Sequence, residues 1–515
     1  MHVIEFFDKG AEIDPDRAFL VDGDIRRSFG QVQALSHRIA NAFRREKIAP
    51  GTRAAVYSHN AARAFECVIG LLRSGCVWVP VNVRNTIEET VYILDHTEAE
   101  VLFYSNQFSK AVADILARCP RIKHVVCVED RDPPHASLED FIAGEAEVSP
   151  LVLRSRDDLA TLFFSGGTTG MPKGVMMPHM SWEIMIANSM QLVRTPHPVH
   201  LVAAPMTHAA GGSALVMAPM GTTNILLPGF EPVQVMQAIQ EHRVTHIFLP
   251  PTAIYRMLSH PDVRNYDYSS LRYFTYSSAP IPPEKVKEAM DVFGPVMTNS
   301  FGQTEVGILG TYFSPEDHVK FLEAGDDRRF RSVGKASLFM QVEIMDDEGN
   351  ILPPETPGEI VMRGDQIMQG YYKNDEETAR AQAFGWHHSG DIGLKDAEGW
   401  LYLVDRKRDV IISGGFNIFP SEIEKILLAH PAVQDCAVIG APHDDWGEQV
   451  TAVIEVKKGQ VLTEVEINTF CRERLSSYKS PKAFHFWDEV PRSPVGKVLR
   501  RKVRDHFWAG RDRKI

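Results

Sequence analysis

The sequence predicts an α/β fold in which largely parallel β-sheets are covered by helices. Short apolar runs with the length of buried strands alternate with stretches of helical spacing through the first two-thirds of the chain. The strand-like runs are RAAVYS, CVWVPVNV, AEVLFYS, KHVVCVE, HLVAAP, TNILLPG, THIFLPP and LRYFTYSS. The helix-like stretches are RAFECVIGLLRSG, IEETVYILDHT, PVQVMQAIQEHR and PEKVKEAMDVFG. This alternation is typical of parallel sheets, because each helix carries the chain back across the sheet.

The pattern changes after about residue 330. Residues 341–364 alternate in polarity and turn at DEGN and PETPG, which predicts a small antiparallel sheet. A later strand ends at Val404, a charged cluster follows at 405–409, and Pro420 and Ser421 open a helix with Glu424 in the capping-box position. Because 515 residues are too many for one core, we expect a boundary in that cluster, between domains 1–404 and 405–515.

Composition and charge narrow the class of protein. Apolar residues make up 44% of the chain and charged residues 24%, as in ordinary globular enzymes, and the net charge of −12 argues against a nucleic-acid partner. The six cysteines show neither a CxxC pair nor a zinc spacing, so a reduced, cytoplasmic protein is expected. The N-terminus lacks a signal-peptide core, and no apolar run approaches the ~20 residues that span a bilayer.

The stretch FSGGTTGMPKGV at 164–175 concentrates glycine, hydroxyl side chains and one lysine. Glycine permits positive φ and close approach of backbone N–H groups to an anion, and Lys173 adds a charge that suits phosphate. The stretch is not a Walker A loop, because Lys173 is followed by Gly174 and not by a hydroxyl residue. The segment predicts a phosphate cradle, with a flexible surface turn as the alternative.

Five further segments occur in a fixed order: PMTHAAGG at 205–212, NSFGQTEVG at 299–307, WHHSGDIG at 386–393, DRKRDVIISGGFNIFPSEIE at 405–424, and VPRSPVGKVLRR at 490–501. Together with the glycine-rich stretch, they resemble the adenylate-forming superfamily of acyl-CoA synthetases, peptide-synthetase adenylation domains and beetle luciferases. The resemblance spans nearly the whole chain. It implies a large N-terminal domain of stacked, mostly parallel sheets with a small β-barrel-like subdomain, and a small, mobile α+β C-terminal domain that carries the catalytic lysine.

The resemblance also implies an ATP site. Thr304 would bind the α-phosphate, Glu305 and Ser165 are the candidate Mg²⁺ ligands, and Lys497 would bridge the carboxylate and the α-phosphate. The predicted ATP-binding residues are Ser165, Gly166, Gly167, Thr168, Thr169, Gly170, Lys173, Ser278, Ala279, Pro280, Asn299, Ser300, Phe301, Gly302, Gln303, Thr304, Asp391, Arg406 and Lys497.

The sequence departs from the usual family pattern in three segments. The glycine-rich stretch reads SGGTTG where TSGTTG is common, so Ser165 and Gly166 differ while a hydroxyl is kept. Ser277 and Ser278 stand where Gly-Gly is usual in the turn beside the adenine. Phe301 stands where Tyr is common, and its ring is expected to pack on the adenine without a hydroxyl.

The predicted acyl pocket consists of His208, Ala209, Ala210, Gly211, Val306 and Gly307. His208 is a candidate catalytic residue beside the acyl carboxylate, with a packed histidine as the alternative. Small residues after His208 would leave room for a bulky acyl or aryl group. Trp182 is assigned to the core.

The C-terminal domain is expected to serve the thiol. The resemblance implies that Gly414, Gly415 and Phe416 face CoA, and that Arg408 is a hinge between two domain orientations. In the first orientation Lys497 supports adenylation, and in the second the Gly414-Gly415 loop reaches the active site.

The predicted function is that of an ATP-dependent, AMP-forming carboxylate–CoA ligase that uses ATP, Mg²⁺, CoA and a fatty or aromatic acid. A stand-alone enzyme that loads a separate carrier protein is the alternative. A luciferase-like oxygenase and a non-catalytic binding module are further rivals. An amino-acid activator is disfavoured, because Thr207-His208-Ala209 offers no carboxylate for a substrate amine. A homodimer is left open.

Overall fold

The computed structural model describes residues 1–150, 152, 155–165, 171–279, 281–492 and 498–509. These residues divide into two compact units. The first comprises Met1–Val342 and Met362–His387, and the second comprises Glu343–Val361 and the chain from His388 onward. The domain boundary at 404/405 stays a prediction.

The described residues form sixteen α-helices and six short 3₁₀ helices. The α-helices are α1 (Val3–Ile13), α2 (Phe29–Arg45), α3 (Ala62–Arg73), α4 (Ile87–His96), α5 (Ser109–Arg118), α6 (Leu138–Phe141), α7 (His179–Leu192), α8 (Ala209–Met217), α9 (Pro232–Glu241), α10 (Pro251–Leu258), α11 (Pro283–Phe293), α12 (Pro315–Ala324), α13 (Asp375–Ala381), α14 (Pro420–Leu428), α15 (Glu464–Arg472) and α16 (Arg500–Phe507). The 3₁₀ helices are Asn106–Phe108, Ala218–Met220, Val263–Asn265, Arg329–Arg331, Ala383–Gly385 and Lys407–Asp409.

The same residues form twenty-six strands. They are β1 (Ala18–Asp22), β2 (Ile25–Ser28), β3 (Arg53–Tyr57), β4 (Val77–Pro80), β5 (Val101–Tyr104), β6 (His124–Cys127), β7 (Ala136–Ser137), β8 (Leu159–Ser165), β9 (Lys173–Pro178), β10 (Val199–Val202), β11 (Thr223–Leu226), β12 (His246–Leu249), β13 (Tyr273–Tyr276), β14 (Met297–Asn299), β15 (Thr311–Tyr312), β16 (Lys335–Ala336), β17 (Gln341–Met345), β18 (Gly358–Arg363), β19 (Gly370–Tyr371), β20 (His387–Lys395), β21 (Leu401–Arg406), β22 (Ile411–Ser413), β23 (Phe416–Ile418), β24 (Val433–His443), β25 (Gly447–Val456) and β26 (Ala483–Trp487).

Helix starts follow from local sequence. The Ser28 hydroxyl accepts a hydrogen bond from the backbone N–H of Gln31 at 3.2 Å, and the Gln31 side chain accepts one from the Ser28 N–H at 2.9 Å, which closes a capping box at α2. Proline stands in the first turn of α9, α10, α11 and α12, where its missing N–H costs no helical hydrogen bond.

The first unit contains a seven-stranded sheet in the order β14-β13-β12-β10-β11-β1-β2. Its pairs are parallel except for the edge pair of β1 and β2. Tyr276 at the end of β13 lies opposite Asn299 at the end of β14, and Leu249 of β12 lies opposite Tyr276. The carboxyl ends of these strands therefore meet at one edge of the sheet.

An eight-stranded sheet in the same unit runs in the order β19-β9-β8-β4-β3-β5-β6-β7. It is parallel from β8 to β7, whereas β9 pairs antiparallel with both β8 and β19. One hydrophobic core joins both sheets through helices. Phe19 of the seven-stranded sheet and Phe103 of the eight-stranded sheet are fully buried in it, together with Phe29 and Ile39 of α2.

The second unit contains a mainly antiparallel sheet in the order β23-β22-β25-β24, with β26 added in parallel to β25. Ile423 and Leu427 of α14 and Ile467 of α15 are fully buried against Ile454 of this sheet. The predicted turn at DEGN is confirmed, since the Gly349 N–H donates to the Asp346 carbonyl at 3.3 Å.

The predicted α/β class, with a large N-terminal body of parallel sheets and helices and a smaller C-terminal part, is confirmed. The predicted capping box at Glu424 is wrong. Helix α14 begins at Pro420 with Phe419 as its N-cap and no side-chain cap. The Ser421 hydroxyl instead donates to the Val404 carbonyl at 2.6 Å, while Glu424 accepts a hydrogen bond from the Val438 N–H at 2.9 Å.

Candidate functional site

Three of the predicted ligand-binding segments follow the carboxyl ends of parallel strands in the seven-stranded sheet. Residues 203–208 follow β10, residues 277–279 follow β13, and residues 300–307 follow β14. In open sheets of this kind, ligands bind outside the carboxyl ends of the strands. The topology therefore brings the predicted acid-binding and ATP-binding segments of the first unit to the same edge.

The predicted adenine-side turn is held against the next segment. The Ser277 hydroxyl donates to the Ser300 carbonyl at 2.6 Å. Ser278 has φ +73°, in the left-handed region that glycine adopts most readily. Ser278 and Ala279 are exposed, as a ligand-facing turn requires. The serine that replaces the usual glycine thus keeps a glycine-like backbone, and Pro280 lies outside the described residues.

The segment from Asn299 to Phe301 is anchored by hydrogen bonds of its backbone. Asn299 exchanges two hydrogen bonds with Phe313, at 3.1 and 2.9 Å, and the Phe301 N–H donates to the Thr311 hydroxyl at 3.0 Å. Asn299, Ser300 and Phe301 are buried. The placement of the Phe301 ring on the adenine stays a prediction.

A tight turn presents Thr304 and Glu305. The backbone N–H groups of Val306 and Gly307 both donate to the Gln303 carbonyl, at 3.0 and 2.7 Å. A Cβ added to Gly302 would lie 2.5 Å from the Gly307 carbonyl oxygen, so only glycine fits there without a backbone shift. Thr304 and Glu305 are partly exposed at the turn.

A buried amide that the sequence analysis missed supports this turn. The Gln366 side chain donates to the carbonyls of Val306 and Ile308, at 2.9 and 3.0 Å, and accepts from the Asn188 side chain at 2.7 Å. Val306 is fully buried, and a Cβ at Gly307 would lie 2.3 Å from the Met185 sulfur. Nothing in the spacing of Gln366 along the chain signals this role.

Ser165 and Lys173 are partners across an antiparallel strand pair. Ser165 ends β8 and Lys173 begins β9, opposite each other in the register. The strands are therefore the two sides of the predicted phosphate cradle. Gly166, Gly167, Thr168, Thr169 and Gly170, which the prediction also assigns to the cradle, lie outside the described residues.

Lys173 and Glu305 contact two residues that the sequence analysis did not single out. The Lys173 Nζ lies 2.5 Å from Glu377 Oε1 and 4.5 Å from the centre of the Tyr371 ring. The Tyr371 hydroxyl donates to Glu305 Oε1 at 2.9 Å. Burial, followed by the Glu305 charge, raises the pKa of Tyr371, so the phenol remains a hydrogen-bond donor.

Glu305 fits the way that proteins hold Mg²⁺. This cation is usually bound by one or two carboxylates together with substrate phosphates, and seldom by an all-protein cage. Among the residues that the structure describes, no group of three or more His, Cys, Asp or Glu side chains is arranged to hold a metal ion. A single carboxylate beside a predicted phosphate-binding segment is compatible with an Mg²⁺ ion that is also held by substrate phosphates, so the assignment of Glu305 to Mg²⁺ stays a prediction.

His208 immediately precedes α8 and is exposed to solvent, yet desolvation by the surrounding protein lowers the pKa of its imidazole. The lowered pKa favours the neutral ring at pH 7. A larger residue does not fit at Gly211, because an added Cβ would lie 1.8 Å from the Met206 carbonyl oxygen. Ala210 is buried and Ala209 is partly exposed, so their place in an acyl pocket stays a prediction.

Asn60, another residue that sequence reasoning missed, fastens the segment before His208. Its amide donates to the carbonyls of Ala204 and Leu227, both at 3.0 Å, and its oxygen accepts from the Met206 N–H at 2.8 Å. One buttressing side chain thus fixes two strand-end loops.

Asp391 and Arg406 form an ion pair in the second unit. They lie opposite each other on β20 and β21, with Arg406 Nε 2.9 Å from Asp391 Oδ1. Asp391 is 5% exposed and Arg406 is exposed. A carboxylate has two acceptor oxygens, which suits a pair of ribose hydroxyls, and this role of Asp391 stays a prediction.

Glu359 holds the chain just before Asp391. Its carboxylate accepts from the Gly390 N–H at 3.0 Å, from His388 at 2.8 Å and from Lys407 at 2.9 Å. Burial pushes the pKa of Glu359 up, but the hydrogen bonds from His388 and Lys407 outweigh it, so this pKa lies below its usual range. The resulting carboxylate fixes the turn at Gly390, whose φ is +69°.

The predicted hinge residue, Arg408, lies in the 3₁₀ helix Lys407–Asp409 within the second unit. Its backbone carbonyl accepts a hydrogen bond from Arg504 at 3.2 Å. Arg500 binds Asp405 at 2.9 Å and also pairs with Glu424, so this charged segment is tied to both α14 and α16. Lys497, the predicted catalytic lysine, lies outside the described residues.

Gly414 and Gly415 form the two-residue turn of a β-hairpin. Ser413 of β22 pairs with Phe416 of β23, and both glycines have positive φ, at +55° and +82°. Such turns require this conformation at both positions, which explains Gly-Gly. Phe416 is exposed and its ring lies 4.9 Å from that of Tyr478. The assignment of this hairpin to CoA stays a prediction.

Comparison with known proteins shows the family to which the chain belongs. The family described as AMP-binding enzyme matches residues 7–372, and the C-terminal domain of the same enzymes matches residues 422–497. A feruloyl-CoA synthase from an Amycolatopsis species is 32% identical over 96% of this chain and 97% of its own length. The fatty acid–[acyl-carrier-protein] ligase ScoC of Streptomyces coeruleorubidus is 30% identical over 95% of this chain and 93% of its own.

Among solved structures, ATP-bound MatB from Rhodopseudomonas palustris superposes with a TM-score of 0.87 at 27% identity, covering 99% of both chains. The fold and the family matches thus define an adenylate-forming enzyme. The chain belongs to the AMP-binding enzyme family and is an acyl-CoA ligase-type enzyme of the adenylate-forming superfamily. In the described part of the chain, no helix combines the length and apolarity needed to cross a membrane.

Proposed function

We propose that the protein is an ATP-dependent, AMP-forming carboxylate–CoA ligase that activates a fatty or aromatic acid. The observation that carries this proposal is the pair of contacts that Tyr371 makes, since its hydroxyl donates to Glu305, the predicted Mg²⁺ ligand, and its ring lies under the ammonium group of Lys173, the predicted phosphate ligand. The relatives named above support the acid class, since one is named for ferulate and one for fatty acids.

In the first half-reaction, a carboxylate oxygen attacks the α-phosphorus of ATP, and pyrophosphate leaves with the bridging oxygen. Lys173 and the cradle would hold the departing phosphates, Thr304 the α-phosphate, and Asp391 with Arg406 the ribose. A bound Mg²⁺ ion on Glu305 would neutralise phosphate charge. The protein's contribution is positioning and electrostatic stabilisation, since the chemistry itself lies in the two anions.

In the second half-reaction, the thiol sulfur attacks the acyl carbonyl carbon, and AMP leaves with the former carboxylate oxygen. Lys497 is assigned to the first half-reaction, and the Gly414-Gly415 hairpin with Phe416 to the thiol. Arg408 would act as the hinge that allows the two arrangements to alternate. The neutral His208 would line the acid site without a charge that repels or pairs with a substrate tail.

The proposed substrate class is tested by measuring pyrophosphate release. The assay uses a series of fatty acids of increasing chain length and a series of aryl acids. The expected result is acid-dependent release for at least one uncharged tail, and poor turnover of dicarboxylates and free amino acids. Burying an unpaired second charge costs several kcal/mol. Efficient turnover of glycine or succinate with no activity on either series would contradict the proposed substrate class.

A stand-alone enzyme that loads a separate carrier protein is the second candidate, and the ScoC similarity favours it. The two candidate functions are separated by measuring the rate of AMP release with CoA as acceptor and, in a second assay, with a phosphopantetheinylated carrier protein as acceptor. We expect CoA to be the better acceptor.

A cytoplasmic location is also proposed, in line with six buried cysteines that are free thiols. Homodimerisation remains open to a sedimentation measurement.

A further inference from the structure

A continuous line of contacts joins Lys173 to Glu305 through one aromatic ring. The Lys173 Nζ lies above the Tyr371 ring at 4.5 Å from its centre, and the Tyr371 hydroxyl donates to Glu305 Oε1 at 2.9 Å. Glu377 Oε1 also lies 2.5 Å from the same ammonium group. The same phenol thus touches both the candidate phosphate lysine and the candidate metal carboxylate.

The backbone around Tyr371 fixes the ring in place. Tyr371 pairs with Val175 of β9, two residues beyond Lys173. The Tyr371 N–H donates to the Thr378 hydroxyl at 2.8 Å, and the Met368 N–H donates to the Glu305 carbonyl at 2.8 Å. Tyr371 is 6% exposed. Its position is therefore set by the sheet and by the Glu305 segment together, before any ligand is bound.

Each contact of the ring has a distinct physical effect. A hydrogen bond to an ionised carboxylate is about twice as strong as a neutral one, so the phenol restricts the rotation of the Glu305 carboxylate. The partners that orient a metal ligand commonly affect metal affinity as much as tenfold or more. The ring face attracts the Lys173 ammonium and keeps its long side chain from sampling other rotamers.

We propose that Tyr371 is a positioning residue that orients Glu305 through its hydroxyl and Lys173 through its ring. This inference rests on the proposed function, because it assigns Glu305 to the metal and Lys173 to phosphate. It separates the two effects: the hydroxyl governs the requirement for the divalent cation, and the ring governs the affinity for the polyphosphate itself.

Two substitutions separate the hydroxyl from the ring. Tyr371→Phe removes the hydroxyl and keeps the ring, and Tyr371→Leu removes both. Tyr372→Phe is the matched control, because the neighbouring phenol donates to Glu98 at 3.2 Å and touches neither Glu305 nor Lys173. ATP binding is measured by calorimetry in Mg²⁺ and in EDTA, and adenylation is measured against Mg²⁺ concentration.

Tyr371→Phe should need about tenfold more Mg²⁺ for half-saturation, with unchanged ATP affinity in EDTA. Tyr371→Leu should in addition lose about threefold to tenfold of the ATP affinity in EDTA, because the cation–π contact is gone. Tyr372→Phe should match the wild type in both measurements. A merely structural role for Tyr371 would lower the unfolding temperature without changing the Mg²⁺ requirement.

A wild-type Mg²⁺ requirement in Tyr371→Phe, or an equal shift in Tyr371→Phe and Tyr372→Phe, would overturn this inference and leave the proposed function in place. Failure of the wild-type enzyme to bind ATP more tightly with Mg²⁺ than in EDTA would instead overturn the proposed function.

Discussion

Replacing Gly302 by alanine should remove most of the adenylation activity while the protein stays folded. The added Cβ would lie 2.5 Å from the Gly307 carbonyl oxygen, and ordinary contacts begin at 3.4 Å. The turn must therefore open by about 0.9 Å (3.4 − 2.5). That carbonyl belongs to the backbone, so no side chain can rotate away to relieve the contact.

The displaced turn carries Thr304 and Glu305. A misplacement of about 1 Å can cost ~10²-fold in rate, because the reacting groups no longer meet in the productive geometry. The expected loss is therefore about 10²-fold in acid-dependent ATP–pyrophosphate exchange. The strain should cost about 1–3 kcal/mol of stability, a range typical of overpacking, and thermal unfolding monitors it.

Gly229→Ala is the matched control. Gly229 lies in a loop of the same unit after β11, and the nearest atom to an added Cβ is the end of the Arg84 side chain at 3.5 Å. This variant should exchange pyrophosphate at the wild-type rate. Wild-type exchange in Gly302→Ala would refute the reasoning, as would an equal loss in both variants, because the turn would then not position the reacting groups.

Lys497→Ala should lose acyl-adenylate formation yet still make thioester from supplied acyl-adenylate and CoA, whereas Arg408→Pro, which restricts φ, should do the reverse. Equal loss of both half-reactions in each variant would argue against alternation. Burial lowers the pKa of His200 to about 4 and that of His246 to about 3. Because the unfolded chain binds those protons near pH 6.5, stability should be full above that pH and should fall on acidification, by about 2 kcal/mol per residue at pH 5, as urea unfolding would show. Ser278→Gly should raise the unfolding temperature slightly or leave it unchanged, since φ +73° strains serine; a marked decrease would show that the serine side chain stabilises the turn.

The sequence predicts those helices and strands whose own pattern of apolar and polar residues shows which side chains are buried. RAAVYS and THIFLPP contain β3 and β12, and PVQVMQAIQEHR contains α9. Each is a short apolar run or an amphipathic stretch, so its periodicity alone indicates a strand or a helix. The strand β9 was not predicted, because it follows the glycine-rich stretch directly and pairs antiparallel within an otherwise parallel run.

The candidate site shows the same division. The turn after β14 lies in one continuous motif, so the sequence points to Thr304 and Glu305. Tyr371 is 66 residues from Glu305, and Glu377 is 204 residues from Lys173, so no local spacing reveals either contact. The wrong prediction for Glu424 has the same origin. Its spacing from Ser421 matches a capping box, but Arg500, 76 residues later, binds its carboxylate in the fold.

The most direct test of acyl-adenylate formation follows the oxygen atoms of the acid's carboxylate. The enzyme is given ATP, CoA and an acid from the pyrophosphate screen, with ¹⁸O in its carboxylate, and the products are analysed by mass spectrometry. Formation of an acyl-adenylate predicts one ¹⁸O atom in AMP and none in pyrophosphate, because AMP departs with the former carboxylate oxygen. Label in inorganic phosphate with formation of ADP, or AMP without label, would contradict the account.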